Sequence, residues 1–217
     1  MIYKKIFHCQ NLQLIISFQH SNPHPLFLLL LSSIYSVESY HQSICCSLIT
    51  QCKNVAEFAT ADLTDSHSNI QVIATPMLAF GQLKSACGQA YTLKLYEDNS
   101  LVRSTLEQFD GIDRVLVIDG GGSRRCALVG DQIAELALKH KWNGIIVNGC
   151  IRDSNIINDM KIHIKAIGTN PLKSVKRNSG QAKIPISFDD NCGVVINQND
   201  WIYSDSDGIV ISKTKLH

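Results

Sequence analysis

The side chains best suited to chemistry fall in two short stretches, the Gly130–Ile133 turn and the Arg152-Asp153 pair. If a helix begins at this turn, its free backbone N–H groups can bind an anion, and the helix dipole adds to the attraction. Arg152 can pair with a carboxylate or an enolate oxygen. Asp153 is a hard oxygen ligand suited to Mg²⁺ or Mn²⁺, because Mg²⁺ is commonly held by one carboxylate and several waters. These residue types predict a site that binds and polarises a small carboxylic acid.

Each of these features alone has a plainer explanation. Asp131 could act only as a favourable charge in the first turn of a helix. The Arg152-Asp153 pair could be a solvated ion pair, and the triple glycine at Gly120–Gly122 could be a simple tight turn. It is their joint placement that favours a functional site. Three of the eight histidines are interpreted as packing or surface residues: His67, His140 and His163.

Two apolar runs predict the strands that would position these residues. Val115–Ile118 and Gly144–Val147 are rich in β-branched residues and read as buried central strands. A helical pattern opens between them at Gly130, so the order predicts a parallel, right-handed βαβ unit. Ligands of open α/β sheets collect at the carboxyl ends of the strands. The segments Asp119–Arg125 and Asn148–Asp153 are therefore expected to converge with the helix start.

Shorter patterns predict the remaining elements of an α/β domain. Helices are expected near Ala59–Asp65, capped by Thr60 or Asp62, after a cap at Asn99-Ser100, and over Asp153–Met160. Further strands are predicted over Gly88–Tyr96, Ile162–Ile167, Ile184–Phe188, Val194–Ile196 and Gly208–Ile211.

Composition narrows the class of ligand. The formal net charge is +1, from 20 basic and 19 acidic side chains. Three of these basic and two of these acidic residues precede residue 59, so the segment 59–217 is neutral overall. A neutral domain favours small ligands or protein partners, and we expect neither nucleic acid nor membrane as a partner. The eight cysteines include no CxxC pair and are interpreted as reduced thiols, which fits a cytoplasmic location.

Residues 1–58 are predicted to be an extension that precedes the domain at 59–217. No charged residue occurs between Lys5 and Glu38, and an apolar run of about a dozen residues begins at Leu26, too short to span a bilayer comfortably. The segment could be a signal or other targeting sequence. We favour the alternative that it is a poorly ordered extension, or the product of a wrongly assigned start site or gene structure.

Four stretches of the sequence resemble the RraA-like family: Val117–Asp131, Trp142–Asp153, Gly168–Pro171 with Lys173-Ser174, and Asp200–Ile209. The resemblance runs in order from about Ala59 to Ser212. Two departures stand out. Asp189–Cys192 lengthens the turn after Phe188, and Gln198-Asn199 replaces the usual Pro-Gly before Asp200.

The resemblance implies a swivelling-type β/β/α domain, a homotrimer and a role for each candidate residue. Asp153 would hold the divalent cation, Mg²⁺ or Mn²⁺, which chelates the 2-oxo acid. Arg152 would stabilise the pyruvate enolate formed on C–C cleavage, and Asp131 would orient a metal-bound water for proton transfer. The substrate carboxylate would bind Arg152 and the turn formed by Gly130, Asp131, Gln132 and Ile133.

The family has two functional branches. One contains the class II 4-hydroxy-4-methyl-2-oxoglutarate aldolases, which also decarboxylate oxaloacetate. The other contains RraA regulators, which bind and inhibit ribonuclease E. The aldolase branch carries an Asp followed by twenty residues and Arg-Asp, and Asp131 here is followed by twenty residues and Arg152-Asp153. We therefore expect an aldolase, with a regulator as the alternative. A methyltransferase-like nucleotide enzyme is a third hypothesis, although no GxGxxG pattern opens a helix after the glycine-rich strand.

Overall fold

The computed structural model describes two backbone strands at 3–9 and 12–18 and the residues 58–188 and 193–216. The chain divides into two units, Met1–Asn54 and Val55–His217, and each is described by itself. In the first unit, β1 (Tyr3–Cys9) and β2 (Leu12–Phe18) pair antiparallel, with Tyr3 opposite Phe18. The apolar run that begins at Leu26 lies outside the described residues. The predicted boundary before residue 59 and the interpretations of the extension therefore stay predictions.

The second unit is a mixed α/β domain. Its described helices are α1 (Thr60–Ser66), α2 (Ser100–Gln108), α3 (Asp131–Lys139) and α4 (Ser154–Asn158). Its described strands are β3 (Gln71–Val72), β4 (Leu78–Phe80), β5 (Ala86–Lys94), β6 (Arg114–Asp119), β7 (Ala127–Val129), β8 (Gly144–Ile151), β9 (Ile164–Thr169), β10 (Gln181–Ala182), β11 (Trp201–Ser204) and β12 (Ile209–Ser212).

These strands form one mixed sheet in the order β3-β12-β11-β5-β6-β8-β9-β4, with β7 beside β8 and β10 beside β5. The central strands β5, β6, β8 and β9 run parallel to one another, and the outer strands β11, β12, β3 and β4 pair antiparallel. The predicted α/β class and central βαβ unit are confirmed, since β6 and β8 are parallel neighbours with α3 between them in the chain. However, β8 runs to Ile151 rather than ending at Val147. Arg152 therefore stands directly at the carboxyl end of a strand.

The central strands are buried on both faces, as their unbroken apolar runs indicate. Leu116 and Ile118 of β6 belong to the core that includes the apolar faces of α2, α3 and α4. Val115 and Val117, on the opposite face, pack with β11, β12 and the residues around Ile186 and Ile196. The central strands that carry the site are thus covered by helices on one face, and on the other by β11 and β12 together with the residues around Ile186 and Ile196.

Two strand predictions were wrong in detail. The segments Ile184–Phe188 and Val194–Ile196 form no regular strands and meet in a single bridge between Ile186 and Ile196. Both isoleucines are buried, at 2% and 0% exposure. Their apolar pattern therefore reflects packing against the sheet rather than regular strand pairing. A short apolar run in the sequence does not distinguish these two cases.

The helix caps were also predicted wrongly, because other carboxylates accept the N–H groups at the helix starts: a distant one for α1 and a neighbouring one for α2. Neither Thr60 nor Asp62 caps α1 with its side chain. Instead, the N–H and hydroxyl of Thr60 donate to Asp205 at 2.6 and 2.7 Å. Asn99 likewise makes no cap bond for α2, where the N–H of Ser100 donates to Asp98 at 2.8 Å.

The structure describes one of the two segments that depart from the family pattern, Gln198-Asn199. Residues 189–192 lie outside the described part of the chain. Gln198 accepts the N–H of Thr92 at 3.0 Å, and Asn199 adopts a positive φ of 68°, so this turn is tied to β5.

Among the described residues, none of the helices is both long and apolar enough to cross a membrane.

Candidate functional site

A cleft of about 200 Å³ lies where the turn before α3 meets the end of β8. The residues that line it are Asn99, Arg103, Ala127, Gly130, Asp131, Gln132, Ile133, Arg152, Lys173, Ser174 and Lys176. All four residues of the turn at 130–133, called here the Gly130 turn, belong to this set. Arg152 belongs to it too. Asp153 is not part of the lining, but its carboxylate contacts Arg152 at 3.2 Å.

The Gly130 turn is built as a helix start. Gly130 occupies the N-cap position in extended conformation, and its carbonyl accepts the N–H groups of Ile133 and Ala134 at 3.1 and 3.0 Å. The carboxylate of Asp131 accepts the N–H of Gln132 at 2.7 Å. One donor that an anion would use is thus satisfied by an acidic side chain of the turn itself. A ligand carboxylate would replace Asp131 at this donor and release its side chain.

Gly130 has a second function, which is to admit two side chains. A Cβ atom at this position would lie 3.0 Å from Oδ2 of Asp153 and 3.1 Å from Nε of Arg152. Both separations are tighter than ordinary van der Waals contact. The lack of a side chain at Gly130 therefore lets the Arg-Asp pair pack directly against the helix start.

Arg152 and Asp153 are positioned by the strand end. The N–H of Arg152 donates to the carbonyl of Val129 at 2.9 Å, which ties the two stretches together. Asp153 adopts a left-handed conformation, with φ 55° and ψ 35°, at the N-cap of α4. Such a conformation costs a non-glycine residue about 1 kcal/mol or more, so the surrounding structure must impose it.

The Arg152-Asp153 pair is open to solvent. Nε of Arg152 lies 3.2 Å from Oδ2 of Asp153, and the side chains are 36% and 34% exposed. An ion pair this exposed contributes little to stability. Its carboxylate and guanidinium are therefore accessible to a ligand in the cleft.

A metal ion would find few protein ligands here. Among the described residues, no three His, Cys, Asp or Glu side chains are grouped closely enough to hold a cation. Asp153 still fits a hydrated Mg²⁺ or Mn²⁺, because its hard carboxylate is accessible beside Arg152 of the cleft lining. Mg²⁺ often keeps several waters and takes only one or two carboxylates from the protein.

The loop at 119–125, called here the glycine loop, does not line the cleft, although the sequence predicted that it would converge there. The N–H groups of Gly120 and Gly122 both donate to the carbonyl of Asn148, at 3.0 and 3.2 Å. Ser123 and Arg125 are held by Glu97, each at 2.6 Å. The N–H of Gly121 donates to the carboxylate of Asp119 at 2.9 Å. The loop thus folds back on the sheet edge, and all three of its glycine N–H groups are used, which argues against a phosphate cradle.

The cleft wall contains residues that sequence reasoning missed. Arg103 comes from α2, while Lys173, Ser174 and Lys176 follow β9. Lys173 and Ser174 lie in a stretch that resembles the family, but no chemistry was assigned to them. The one available signal was their position just after a strand of the parallel sheet, at the same edge as Arg152.

The segment at 172–179, called here the strap, is held at both ends. The carbonyl of Leu172 accepts the N–H of Ala127 at 2.8 Å. At the other end, Asp98 accepts the N–H groups of Arg177 and Ser179, each at 2.9 Å. Burial alone would raise the pKa of Asp98, but hydrogen bonds from Ser100, Ser179 and Arg177 outweigh burial and hold that pKa well below its usual range. An ionised Asp98 therefore fixes the strap to the start of α2.

Comparisons with known proteins identify the family of this domain. The family model described as Aldolase/RraA matches residues 60–211. A relative from Aromatoleum aromaticum named "Putative 4-hydroxy-4-methyl-2-oxoglutarate aldolase" is 48% identical over 161 residues, covering 74% of this chain and 99% of the relative.

Two solved structures share the fold. The RNA-processing inhibitor RraA from Thermus thermophilis is 31% identical with a TM-score of 0.70, covering 75% of this chain and 96% of that one. A Geobacillus kaustophilus structure, described as S-adenosylmethionine: 2-dimethylmenaquinone methyltransferase, is 40% identical with a TM-score of 0.69, covering 73% and 97%. The family model spans nearly the whole domain, and the Aromatoleum aromaticum relative is matched over almost its full length. The names of such relatives support aldolase function at the level of the family. The chain therefore belongs to the RraA-like family.

Proposed function

We propose that this protein is a divalent-metal-dependent lyase that cleaves 4-hydroxy-4-methyl-2-oxoglutarate to two pyruvates and also decarboxylates oxaloacetate. The observation that carries the proposal is the contact between the Gly130 turn and the Arg152-Asp153 pair. Twenty residues separate Asp131 from Arg152 in the chain. In the fold, the Asp153 carboxylate and the Arg152 guanidinium both pack against Gly130.

In this proposal the Gly130 turn binds the carboxylate next to the 2-oxo group. The ligand takes the N–H of Gln132 that Asp131 otherwise occupies, and the helix dipole of α3 favours its charge. Asp153 would hold Mg²⁺ or Mn²⁺, and such an ion acts as a Lewis acid that polarises the 2-oxo group when it is bound.

The chain's own side chains then handle charge and protons. On cleavage, a proton leaves the C4 hydroxyl, the C3–C4 bond breaks, and its electron pair passes to the C1–C3 fragment as an enolate. Arg152 stabilises the negative charge on the enolate oxygen, which develops only as the bond breaks. Asp131, released from Gln132, orients the water that transfers the proton.

Turnover assays test this proposal. Purified protein is given oxaloacetate or 4-hydroxy-4-methyl-2-oxoglutarate with Mg²⁺, with Mn²⁺, or with EDTA, and pyruvate is measured. The variant Asp153→Asn should lose nearly all turnover. Asp159→Asn, an exposed residue at the other end of α4, is the matched control and should keep it. Absence of turnover of either substrate by folded wild-type protein would refute the lyase proposal.

The second candidate is a regulator that binds an RNA-processing enzyme. The similarity to the Thermus thermophilis RNA-processing inhibitor RraA favours it, at a TM-score of 0.70. Such a regulator would inhibit ribonuclease E in a purified assay, and the Asp153→Asn variant would inhibit it equally well.

We also propose a homotrimer, as the family resemblance implies. Sedimentation equilibrium would give three times the chain mass of 24.1 kDa, and a monomer would contradict the proposal.

A further inference from the structure

Two walls of the cleft come from segments that lie far apart in the chain. One wall is α2, which contributes Arg103, and the other is the strap, which contributes Lys173 and Lys176. The proposed chemistry gives none of these cations a role in bond cleavage. Their charges attract an anionic ligand most strongly when the walls are already in place, because a ligand that must first order its site loses affinity.

The carboxylate of Asp98 joins these two walls. Asp98 lies just before α2 and is fully buried. Its Oδ1 accepts the N–H and the hydroxyl of Ser100 at 2.8 and 2.6 Å. Its Oδ2 accepts the N–H groups of Arg177 and Ser179, each at 2.9 Å, and the hydroxyl of Ser179 at 3.2 Å. One oxygen therefore holds the start of α2, and the other holds the strap beside Lys176.

The start of α2 is in turn fixed to the segments that carry the Gly130 turn. Nδ2 of Asn99 donates to the carbonyl of Leu128 in β7 at 3.1 Å. The guanidinium of Arg103 donates to Oε1 of Gln132, in the Gly130 turn, also at 3.1 Å. The first residues of α2 thus form a base that is tied to the anion-binding turn. Asp98 attaches the strap to this base.

A carboxylate is required for this double attachment. All the groups that bond to Asp98 from the two walls are donors, and an ionised carboxylate is an acceptor at both oxygens. An asparagine has the same shape but carries an NH₂ group in place of one oxygen. The donors that face this NH₂ group would lose their acceptor, so one of the two walls would be released.

From this arrangement we infer that Asp98 is a positioning residue, which does not line the cleft itself but holds Lys176 of the strap where it attracts the bound anion. The inference rests on the proposed function, because it assumes that the ligand binds at the Gly130 turn. The groups assigned to bond cleavage lie on that turn and at the end of β8. Loss of the Asp98 carboxylate should therefore weaken binding and leave the bond-breaking step nearly unchanged.

Steady-state kinetics with oxaloacetate and Mg²⁺ tests this role. In Asp98→Asn, KM should rise roughly 10-fold while kcat stays within about twofold of the wild-type value. Lys176→Gln should raise KM to a similar extent. The double variant should exceed Lys176→Gln by no more than about twofold in KM, because Asp98 acts through Lys176 and the two losses are not additive.

Asp119→Asn is the matched control. Asp119 is also a buried carboxylate, and it accepts the N–H of Gly121 at 2.9 Å and the side-chain amide of Asn148 at 3.3 Å. The glycine loop that it holds does not line the cleft. This variant should lose stability but keep the wild-type KM. Circular dichroism at the assay temperature confirms that each variant is folded.

Oxalate gives a second measurement that needs no turnover. It is a dianion of about the size of the pyruvate enolate, and its dissociation constant is measured by titration calorimetry in the presence of Mg²⁺. The constant should rise in Asp98→Asn and in Lys176→Gln but not in Asp119→Asn. This pattern in a protein that turns over neither substrate would support the positioning role and refute the lyase.

Three results would overturn the inference even if pyruvate is formed from oxaloacetate. The first is an unchanged KM and oxalate affinity in Asp98→Asn, or equal weakening by Asp98→Asn and Asp119→Asn. The second is full additivity of Asp98→Asn with Lys176→Gln. The third is the absence of oxalate binding by the wild-type protein.

Discussion

Acidification should destabilise this protein through one buried histidine, His163. The residue is fully buried beside β9. Its Nδ1 lies 3.1 Å from the carbonyl oxygen of Leu83, and its Nε2 lies 2.8 Å from the hydroxyl of Ser204. A carbonyl can only accept, so Nδ1 carries the proton of the neutral ring and Nε2 accepts from Ser204. The folded protein therefore holds His163 in its neutral form.

The size of the effect follows from the pKa of His163. Burial lowers it from 6.5 to about 4, aided by the positive charges of Lys165 and Lys84 and opposed by the bond to Leu83 and by Asp205. Between these two values the unfolded chain binds a proton that the folded chain does not. Stability therefore falls as the pH drops from about 6.5 to about 4, and the total loss is about 3 kcal/mol.

Urea unfolding between pH 7.5 and pH 4 measures this loss. His163→Gln keeps a polar side chain but cannot titrate, so its free energy of unfolding should fall by about 3 kcal/mol less than that of the wild type over the same window. His140→Gln, at the carboxyl end of α3, is the matched control and should follow the wild type. The comparison cancels the contribution of carboxylates, which titrate in all three proteins.

Two results would contradict this reasoning. If His163→Gln loses stability with the same pH dependence as the wild type, His163 is not the group that takes up the proton. If the wild type becomes more stable between pH 6.5 and pH 4, the sign of the linkage is wrong.

Three further substitutions test the construction of the cleft. Gly130→Ala should reduce kcat/KM for oxaloacetate by roughly 10- to 100-fold, because its Cβ displaces Arg152 and Asp153, while the midpoint of thermal unfolding changes little. An unchanged kcat/KM would contradict the proposed packing. Ser174→Ala should leave the free energy of unfolding equal or raise it by up to about 1 kcal/mol, since it removes an unpaired buried hydroxyl. A clear loss of stability would show that Ser174 has a structural partner. Asp98→Ala should lower the free energy of unfolding by about 3 kcal/mol in urea, because the N–H groups that it accepts lose their partner, and a loss below about 1 kcal/mol would contradict its role as the anchor of the strap.

The sequence predicted the framework of the domain because that framework is encoded by local patterns. The apolar runs at β6 and β8 and the helical spacing of α3 each specify an element without reference to distant residues. Chain direction and strand order then require that the end of β8 and the start of α3 lie at the same edge of the sheet. This is why the Gly130 turn and Arg152 could be placed at one site before any coordinates were known.

Features that depend on residues far apart in the chain were not predictable in this way. The carboxylate that caps α1 comes from Asp205, 145 residues from Thr60. Three of the four cations of the cleft, Arg103, Lys173 and Lys176, come from α2 and from the strap, which the hydrogen bonds of Asp98 hold together. The glycine loop was expected in the cleft but is bonded to Asn148 and Glu97 instead.

The sequence by itself therefore determined the fold class, the two central strands and the pairing of the Gly130 turn with Arg152. Only the tertiary structure decided which charges line the cleft, which hydroxyl lacks a partner and that a distant carboxylate caps α1. The physical reason is the range of the interactions. Backbone conformation and apolar periodicity are set by neighbours within a few residues, whereas the walls of a binding site are set by hydrogen bonds and packing between segments that only the completed sheet brings into contact.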